Sequence, residues 1–117
     1  VAIAPRSPDL AAFPVAAVDA LPPGPGLFNA YDWGGFLIWY APGTPVFIDG
    51  RLVPYLDRRL DEYKTIIGAR PGWRALVDRL GVRTLLVHPG DPLAVRAGDL
   101  GWRVRRASAG FILIDVP

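Results

Sequence analysis

The stretch GVRTLLVHPGDPLAVRAG, residues 81–98, decides the predicted fold. Its first part, Val82 to Val87, predicts a buried strand. His-Pro-Gly then predicts a turn. Asp91 followed by Pro92 is typical of the N-cap and first position of a helix, which we expect to end near Gly98. A strand that leads through a short turn into a helix is the repeating unit of α/β proteins.

The same alternation continues on the N-terminal side. Pro14 and the apolar spacing after it predict a short helix over 14–20. Asp32 is a good N-cap for a helix over 33–40, which is apolar nearly all round and therefore expected to be buried. A strand over 33–40 stays open as an alternative, because short apolar runs are ambiguous. The two predicted strands of this half are 27–30 and Val46 to Asp49.

Two further helices and a hairpin complete the pattern. Leu56, Leu60, Tyr63 and Ile67 recur at helical spacing and predict an amphipathic helix that ends at Gly68 in the left-handed conformation. Trp73, Leu76, Val77 and Leu80 predict a second helix, closed by Gly81. Strands over 102–107 and 111–116 are separated by three residues, which leaves room only for a hairpin.

This order predicts an α/β fold, namely a small three-layer Rossmann-like domain. Strands that alternate with helices favour a mainly parallel sheet of about five strands, with the C-terminal antiparallel hairpin at one edge. Residues 1–12 are predicted to be a linker or an ordered tail, and residues 13–117 a single domain.

Composition excludes several classes of protein and site. Hydrophobic residues make up 51% of the 117 residues and charged residues 21%, which is not the composition of a disordered chain. The chain has no cysteine and one histidine, so disulfide frameworks, thiolate zinc sites, cysteine nucleophiles and multi-histidine metal sites are excluded.

The basic residues do not suggest a nucleic-acid partner. Net charge is +2, and the arginines are scattered along the chain. The densest run, Arg103, Arg105 and Arg106, lies in a predicted strand, where alternation favours a solvated outer face. A stripe that binds phosphates would need more charge and more clustering.

The absence of methionine predicts that the chain is a piece of a larger protein. No apolar run reaches the roughly 18 residues that a membrane helix needs. Any membrane or targeting segment is therefore expected N-terminal to Val1.

Polar residues follow three of the predicted strands where each strand ends. In an open parallel sheet, ligands bind outside the carboxyl ends of the strands, so these residues are expected to share one edge. Carboxylates there could serve acid–base chemistry or bind a divalent cation, although no catalytic residue, metal or cofactor is assigned. The candidate ligand-binding residues are Asn29, Tyr31, Asp32, Trp33, Asp49, Arg51 and His88.

Each candidate also has a structural explanation. Asp32 could be only a helix cap, Asp49 belongs to a common Asp-Gly turn, and His88 could satisfy backbone groups before Pro-Gly. The sequence contains no GxGxxG, P-loop or GxSxG motif. The tryptophans are expected in the core or covering the sheet, with Trp33 as the one to consider at the edge.

The stretch FNAYDWGGFLIWYAPGTPVFIDGR, Phe28 to Arg51, carries a family resemblance. With FPVAAVDAL before it and GWRALVDRLGVRTLLVHPGDPLA after it, residues 13–116 resemble the soluble C-terminal domain of bacterial polytopic membrane proteins. Those proteins are similar to GT-C glycosyltransferases of the dolichyl-phosphate-mannose–protein mannosyltransferase and ArnT type. The resemblance implies many membrane helices followed by an extracytoplasmic globular domain, in a protein that takes sugars from polyprenyl-phosphate carriers.

A looser resemblance is to the catalytic subunit of oligosaccharyltransferase. Its WWDYG-type motif, a following apolar stretch and a later Asp-Gly are similar in layout to Tyr31-Asp32-Trp33-Gly34, Phe36 to Tyr40 and Asp49-Gly50. Ala30-Tyr31 stands where that motif has two tryptophans, and Trp33 stands where it has tyrosine. What the resemblance carries over is Asp32 and Trp33, as residues that face a substrate.

The resemblance implies an accessory role on the extracytoplasmic face of the bacterial cell membrane. The domain would cover the active site or bind acceptor, with the membrane domain of the same polypeptide as partner and a lipid-linked sugar or acceptor as ligand. The catalytic carboxylate of GT-C enzymes lies in a loop between membrane helices, so the isolated domain is expected to be inactive. Two alternatives stay open: a non-enzymatic interaction or structural module of a membrane protein, and a small domain that binds an anionic ligand at helix N-termini.

Overall fold

The computed structural model describes residues 14–48 and 56–117. Four strands, four α-helices and two short 3₁₀ helices form the described part of the chain. No helix in these two ranges is long and apolar enough to cross a membrane. In chain order, the elements are a first 3₁₀ helix (Val15–Ala20), β1 (Leu27–Asn29), a second 3₁₀ helix (Tyr31–Trp33), α1 (Gly34–Tyr40), α2 (Leu56–Ile67), α3 (Trp73–Arg79), β2 (Thr84–Val87), α4 (Pro92–Asp99), β3 (Arg103–Ala107) and β4 (Ile112–Asp115).

The sheet of the described residues has four strands in the order β1-β2-β4-β3 and is mixed. Only β1 and β2 pair in parallel, whereas β2 with β4 and β4 with β3 pair antiparallel. The prediction of a mainly parallel, five-stranded Rossmann-like sheet is therefore wrong. The C-terminal antiparallel hairpin lies at one edge of the sheet, as predicted: β4 pairs with β2 along four residues, and β3 is the outer strand.

The predicted strand Val46 to Asp49 also accounts for the difference between the predicted five strands and the four observed in the described residues. Residues 46–48 are not a strand, and Asp49 lies outside the described residues. The buried side chain of Asn29 takes the place of a neighbouring strand: its Oδ1 accepts the backbone N–H of Phe47 at 2.7 Å. Its Nδ2 donates to the carbonyl of Ile48 at 2.9 Å. The apolar side chain of Ile48 is buried, at 3% exposed, but the sequence pattern did not specify the partner of this segment.

Helices cover both faces of the sheet. Successive side chains of a strand point to opposite faces. Leu85 and Val87 therefore pack in one cluster with α3 and α4, while Leu86 packs in the other with the first 3₁₀ helix and α1. The layered arrangement follows from this alternation of apolar side chains, although the sheet between the layers differs from the expected one.

The helices lie close to their predicted positions, and their ends differ. Gly81 is left-handed (φ +70°), as expected, but Ala69 (φ +48°) and not Gly68 takes that conformation after α2. Asp32 does not cap α1, because it lies inside the second 3₁₀ helix and neither helix start has a side-chain cap. The helix over 33–40 is also less buried than expected, since Trp39 is 83% exposed.

The arginines of β3 form the solvated face that the sequence predicts. All five residues of β3 are exposed. Arg105 pairs with Asp115 of β4 at 3.0 Å, and Arg103 approaches the same carboxylate at 3.6 Å. The strand pairing shifts register between Val104 and Arg106, so Arg105 is an inserted residue in this ladder. Arg106 donates to the carbonyl of Ala16 at 2.7 Å and ties the edge strand to the first 3₁₀ helix.

Candidate binding site

Asp32 and His88 meet at one edge of the sheet. β1 and β2 run parallel, with Asn29 opposite Leu86, so the residues that follow the two strands leave the sheet on the same side. The Nε2 atom of His88 lies 3.0 Å from each carboxylate oxygen of Asp32. The two residues are 56 positions apart in sequence, and it is the parallel pairing that brings them together.

His88 is held from two directions. Its backbone N–H donates to a carboxylate oxygen of Asp91 at 3.0 Å, which fixes the turn between β2 and α4. Its ring lies over the indole of Trp33, with the ring centroids 4.1 Å apart. Asp91 occupies the N-cap position of α4, as predicted, but its side chain bonds the preceding turn rather than the helix.

The geometry defines the chemistry of the pair. A carboxylate accepts hydrogen bonds, so in the neutral imidazole the proton belongs on Nε2, between the ring and Asp32. Nδ1 is then the acceptor nitrogen. The side chains of His88 and Asp32 are 40% and 61% exposed, so solvent screens the pair and its contribution to stability is small, on the order of 1 kcal/mol or less. The pair is accessible to a ligand from solvent.

Tyr63 supports the edge from below. Its hydroxyl oxygen accepts the backbone N–H of Tyr31 at 2.9 Å. Its ring stacks on Phe28 with centroids 5.4 Å apart and meets the ring of Tyr31 edge-on at 6.2 Å. The phenol of α2 therefore fixes the start of the turn that carries Asp32.

Tyr63 remains a neutral phenol at neutral pH. Burial raises the pKa of its hydroxyl, and the negative charges of Asp91 and Asp32 raise the pKa further. The hydrogen bond from Tyr31 lowers that pKa, but burial outweighs it. The hydroxyl of Tyr63 thus keeps its proton while its oxygen accepts from the backbone.

The structure separates the predicted site residues into three groups. Asp32 and His88 come together, and Tyr31 lies beside them with 38% of its surface exposed. Trp33 is 1% exposed, so it forms the floor under His88 and is not a surface that a ligand can stack on. Asp49 and Arg51 lie outside the described residues. We call Tyr31, Asp32, Tyr63 and His88 the Asp32–His88 edge.

Asn29 belongs to the fold and not to the edge. It is fully buried, and its Nδ2 donates to the carbonyls of both Ala30 and Ile48 at 2.9 Å. Its Oδ1 accepts the N–H groups of Phe47 and Ile48 at 2.7 and 3.4 Å. With two donors and two lone pairs, this amide has no capacity left for a ligand.

Sequence reasoning did not identify Tyr63 as part of the site. It occupies an apolar position of an amphipathic helix, and this pattern indicates core packing. The available signal was its chemistry: a buried tyrosine hydroxyl needs a hydrogen-bond partner, unlike the leucines and isoleucines of the same stripe. The identity of that partner depends on tertiary structure.

The described residues offer no metal centre at this edge. Within residues 14–48 and 56–117, no group of three or more His, Cys, Asp or Glu side chains is placed to hold a metal ion. An open cavity of about 310 Å³ is lined by Arg58, Arg59, Glu62 and Leu80, none of which belongs to the Asp32–His88 edge.

Comparison with known proteins gives no family assignment. No family model matches the chain, and neither the curated proteins nor the solved structures contain a match.

Proposed function

We propose that this chain is an extracytoplasmic binding domain of a membrane-embedded glycosyltransferase-like protein, with the Asp32–His88 edge as its contact for acceptor or lipid-linked sugar. The resemblance of residues 13–116 to the soluble domains of such proteins supports the setting. The geometry of the edge supports the role. In this proposal the parent's membrane domain supplies the catalytic carboxylate, and this domain positions what is bound.

The observation that carries the proposal is the exposed Asp32–His88 pair on a buried support. Both oxygens of Asp32 lie 3.0 Å from Nε2 of His88, and both side chains remain open to solvent. Carboxylate oxygens and an imidazole nitrogen are hydrogen-bond acceptors that suit the hydroxyl groups of a sugar or peptide acceptor. Trp33 and Tyr63 hold the pair from below, which lowers the entropy cost of binding.

A ligand-binding edge of this kind suits neutral ligands better than anions. Asp32 and Asp91 both place negative charge here, and His88 is the one described residue of the edge that can carry a positive charge. The alternative of a small anionic-ligand domain is therefore less well supported. The sequence before the helices that begin at this edge also contains neither a GxGxxG nor a P-loop motif.

Chemical-shift mapping on the ¹⁵N-labelled chain tests the proposal. The probes are neutral monosaccharides, an acceptor-like serine and threonine peptide, inorganic phosphate and Mg²⁺. We expect the sugars or the peptide to shift the amides of Tyr31, Asp32 and His88, and Asp32→Asn to abolish those shifts. Asp99→Asn, a change at an exposed carboxylate at the end of α4, is the matched control and should leave them intact. Shifts with phosphate alone, or with none of the probes, would contradict the proposal.

A further inference from the structure

Two loops and the end of one helix, which are adjacent in sequence or joined by hydrogen bonds, carry no charged side chain. The loop over residues 21–26 and the loop over 41–45 are joined, because the N–H of Gly24 donates to the carbonyl of Gly43 at 3.3 Å. The hydroxyl of Thr44 also donates to the carbonyl of Pro22 at 3.4 Å. Trp39 and Tyr40, the last two residues of α1, directly precede the second loop. The exposed residues that we call the proline–aromatic surface are Pro23, Pro25, Trp39, Tyr40, Pro42 and Pro45.

The exposure of Trp39 is the unusual feature of this surface. Its side chain is 83% exposed, and Tyr40 beside it is 47% exposed. Large aromatic side chains favour burial, and an exposed cluster of them commonly marks an interaction site. By contrast, Trp33 and Trp73 are buried, at 1% and 8% exposed, so the exposure of Trp39 sets it apart from them.

The charge pattern indicates what kind of partner fits. Residues 20–48 contain one charged residue, Asp32, and no Lys or Arg. A surface of this kind can leave water without stripping a charge, and its prolines have no backbone N–H to leave unpaired. It offers no basic group to an anionic partner. Neutral phospholipid headgroups match it, and Trp and Tyr are the side chains that favour the boundary between water and hydrocarbon.

We propose that the proline–aromatic surface docks on the headgroup region of the lipid bilayer, with Trp39 inserted. This inference rests on the proposed function, which places the domain beside a membrane. The contact is apolar and aromatic rather than electrostatic, so it does not require anionic lipid. It would hold the domain against the membrane while the Asp32–His88 edge binds its ligand.

Tryptophan fluorescence with lipid vesicles tests this docking. Trp39 is the one highly exposed tryptophan, since Trp102 is partly buried and the other two are buried. Vesicles of phosphatidylcholine should shift the emission of the 117-residue chain to the blue, and brominated phosphatidylcholine should quench it. The shift should be equal when phosphatidylglycerol is mixed in, and unchanged at high salt, because no basic residue takes part.

Variants identify the surface. Trp39→Ser should weaken vesicle binding by about tenfold or more, because the apolar area of the indole is no longer transferred from water to the bilayer. Co-sedimentation measures the binding. Val95→Ser is the matched control, since Val95 is 54% exposed on α4, which packs on the opposite face of the sheet, and it should bind as the parent chain does.

Four results would overturn the docking proposal. These are binding only to phosphatidylglycerol vesicles with loss at high salt, no binding to either vesicle, undiminished binding of Trp39→Ser, and a blue shift that depends on protein concentration without lipid. The last would show that a second copy covers the surface. None of these results bears on the ligand shifts at the Asp32–His88 edge, so failure here and failure of the proposed function are distinguishable.

Discussion

The two described regions, residues 14–48 and 56–117, build one sheet, but their surfaces differ in composition. The first region contains no Lys or Arg, and its exposed side chains include Trp39 and several prolines. The second carries the arginines of α2, α3 and β3, whose carboxylate partners include Glu62, Asp78 and Asp115. Both regions contribute buried apolar side chains to the core. The difference between them therefore concerns the surroundings that each surface suits. The second region is matched to water, and we propose that the proline–aromatic surface of the first region, which has no charged side chain, is matched to something less polar.

The two regions also meet at the Asp32–His88 edge, with one residue of the pair from each. Within the first region, Asn29 holds residues 46–48 against the end of β1, three positions before Asp32. Because Asn29 is fully buried, a change there should have a larger effect than a change on either surface.

The largest expected effect is that of Asn29→Ala. The substitution removes four hydrogen bonds and leaves the N–H of Phe47 and the carbonyl of Ile48 without their partner. Unpaired buried polar groups cost about 1–3 kcal/mol each, so the free energy of unfolding should fall by roughly 2–4 kcal/mol. Urea unfolding measures it. Thr44→Val, which removes a single 3.4 Å bond at a buried threonine, is the control and should cost below about 1 kcal/mol. Equal losses would mean that the Asn29 contacts do not hold residues 46–48 against β1.

The second effect is that of Tyr63→Phe. Loss of the hydroxyl removes the acceptor of the Tyr31 N–H, and because water can reach this exposed bond we expect a loss of about 1 kcal/mol in urea unfolding. The amide resonance of Tyr31 should move upfield as the hydrogen bond disappears. An unchanged Tyr31 amide would show that the phenol does not support the turn.

The pH dependence of stability follows from the same phenol. Burial raises the pKa of folded Tyr63 above the ordinary tyrosine value of about 10, so above that pH the unfolded chain releases this proton before the folded chain does. The free energy of unfolding should therefore fall as pH rises above about 10, and fall less steeply in Tyr63→Phe. Parallel curves for the two proteins would contradict the buried, protonated phenol.

Asp32→Asn should have a smaller effect on stability. Asp32 does not cap α1, and its carboxylate is 61% exposed, so the variant should lose below about 1 kcal/mol. Asp32→Asn should nevertheless abolish the ligand-induced chemical shifts at the Asp32–His88 edge. A loss of ligand shifts that is accompanied by a large loss of stability would assign Asp32 to the fold instead.

Trp39→Ser should have the smallest effect on the isolated chain. The side chain is largely in water, so the free energy of unfolding should change by less than about 0.5 kcal/mol. A large destabilisation in urea would show that Trp39 is part of the core and would remove the contrast between the two surfaces.

The sequence predicted local structure well and long-range pairing poorly. Helices over 34–40, 56–67, 73–79 and 92–99 and the C-terminal hairpin have clear periodicity and turn signals, and they were predicted close to their observed positions. The pairing of β4 with β2 has no local signal, because the sequence pattern of a buried strand does not depend on which strand lies beside it. Residues 46–48 look like a strand for the same reason, although a side-chain amide satisfies them.

The positions of the candidate residues were predicted in part. Asp32 and His88 were placed on one edge because both follow strands expected to be parallel neighbours, and β1 and β2 are the one parallel pair in the described sheet. Asn29 and Trp33 occupy the right positions in sequence, but they are buried and serve the fold. Their burial depends on neighbours distant in sequence, namely Ile48 and His88, which no local pattern reveals.

The most direct test of the account is the ¹⁵N spectrum of the imidazole ring of His88, the single histidine of the chain. Because Nε2 faces both oxygens of Asp32 at 3.0 Å, the neutral ring should carry its proton on Nε2, with Nδ1 showing the shift of an unprotonated nitrogen. Asp32→Asn should shift the ring toward a mixture of the two tautomers. A neutral ring protonated on Nδ1, or a ring whose spectrum is the same in Asp32→Asn, would mean that Asp32 and His88 do not form a pair in solution.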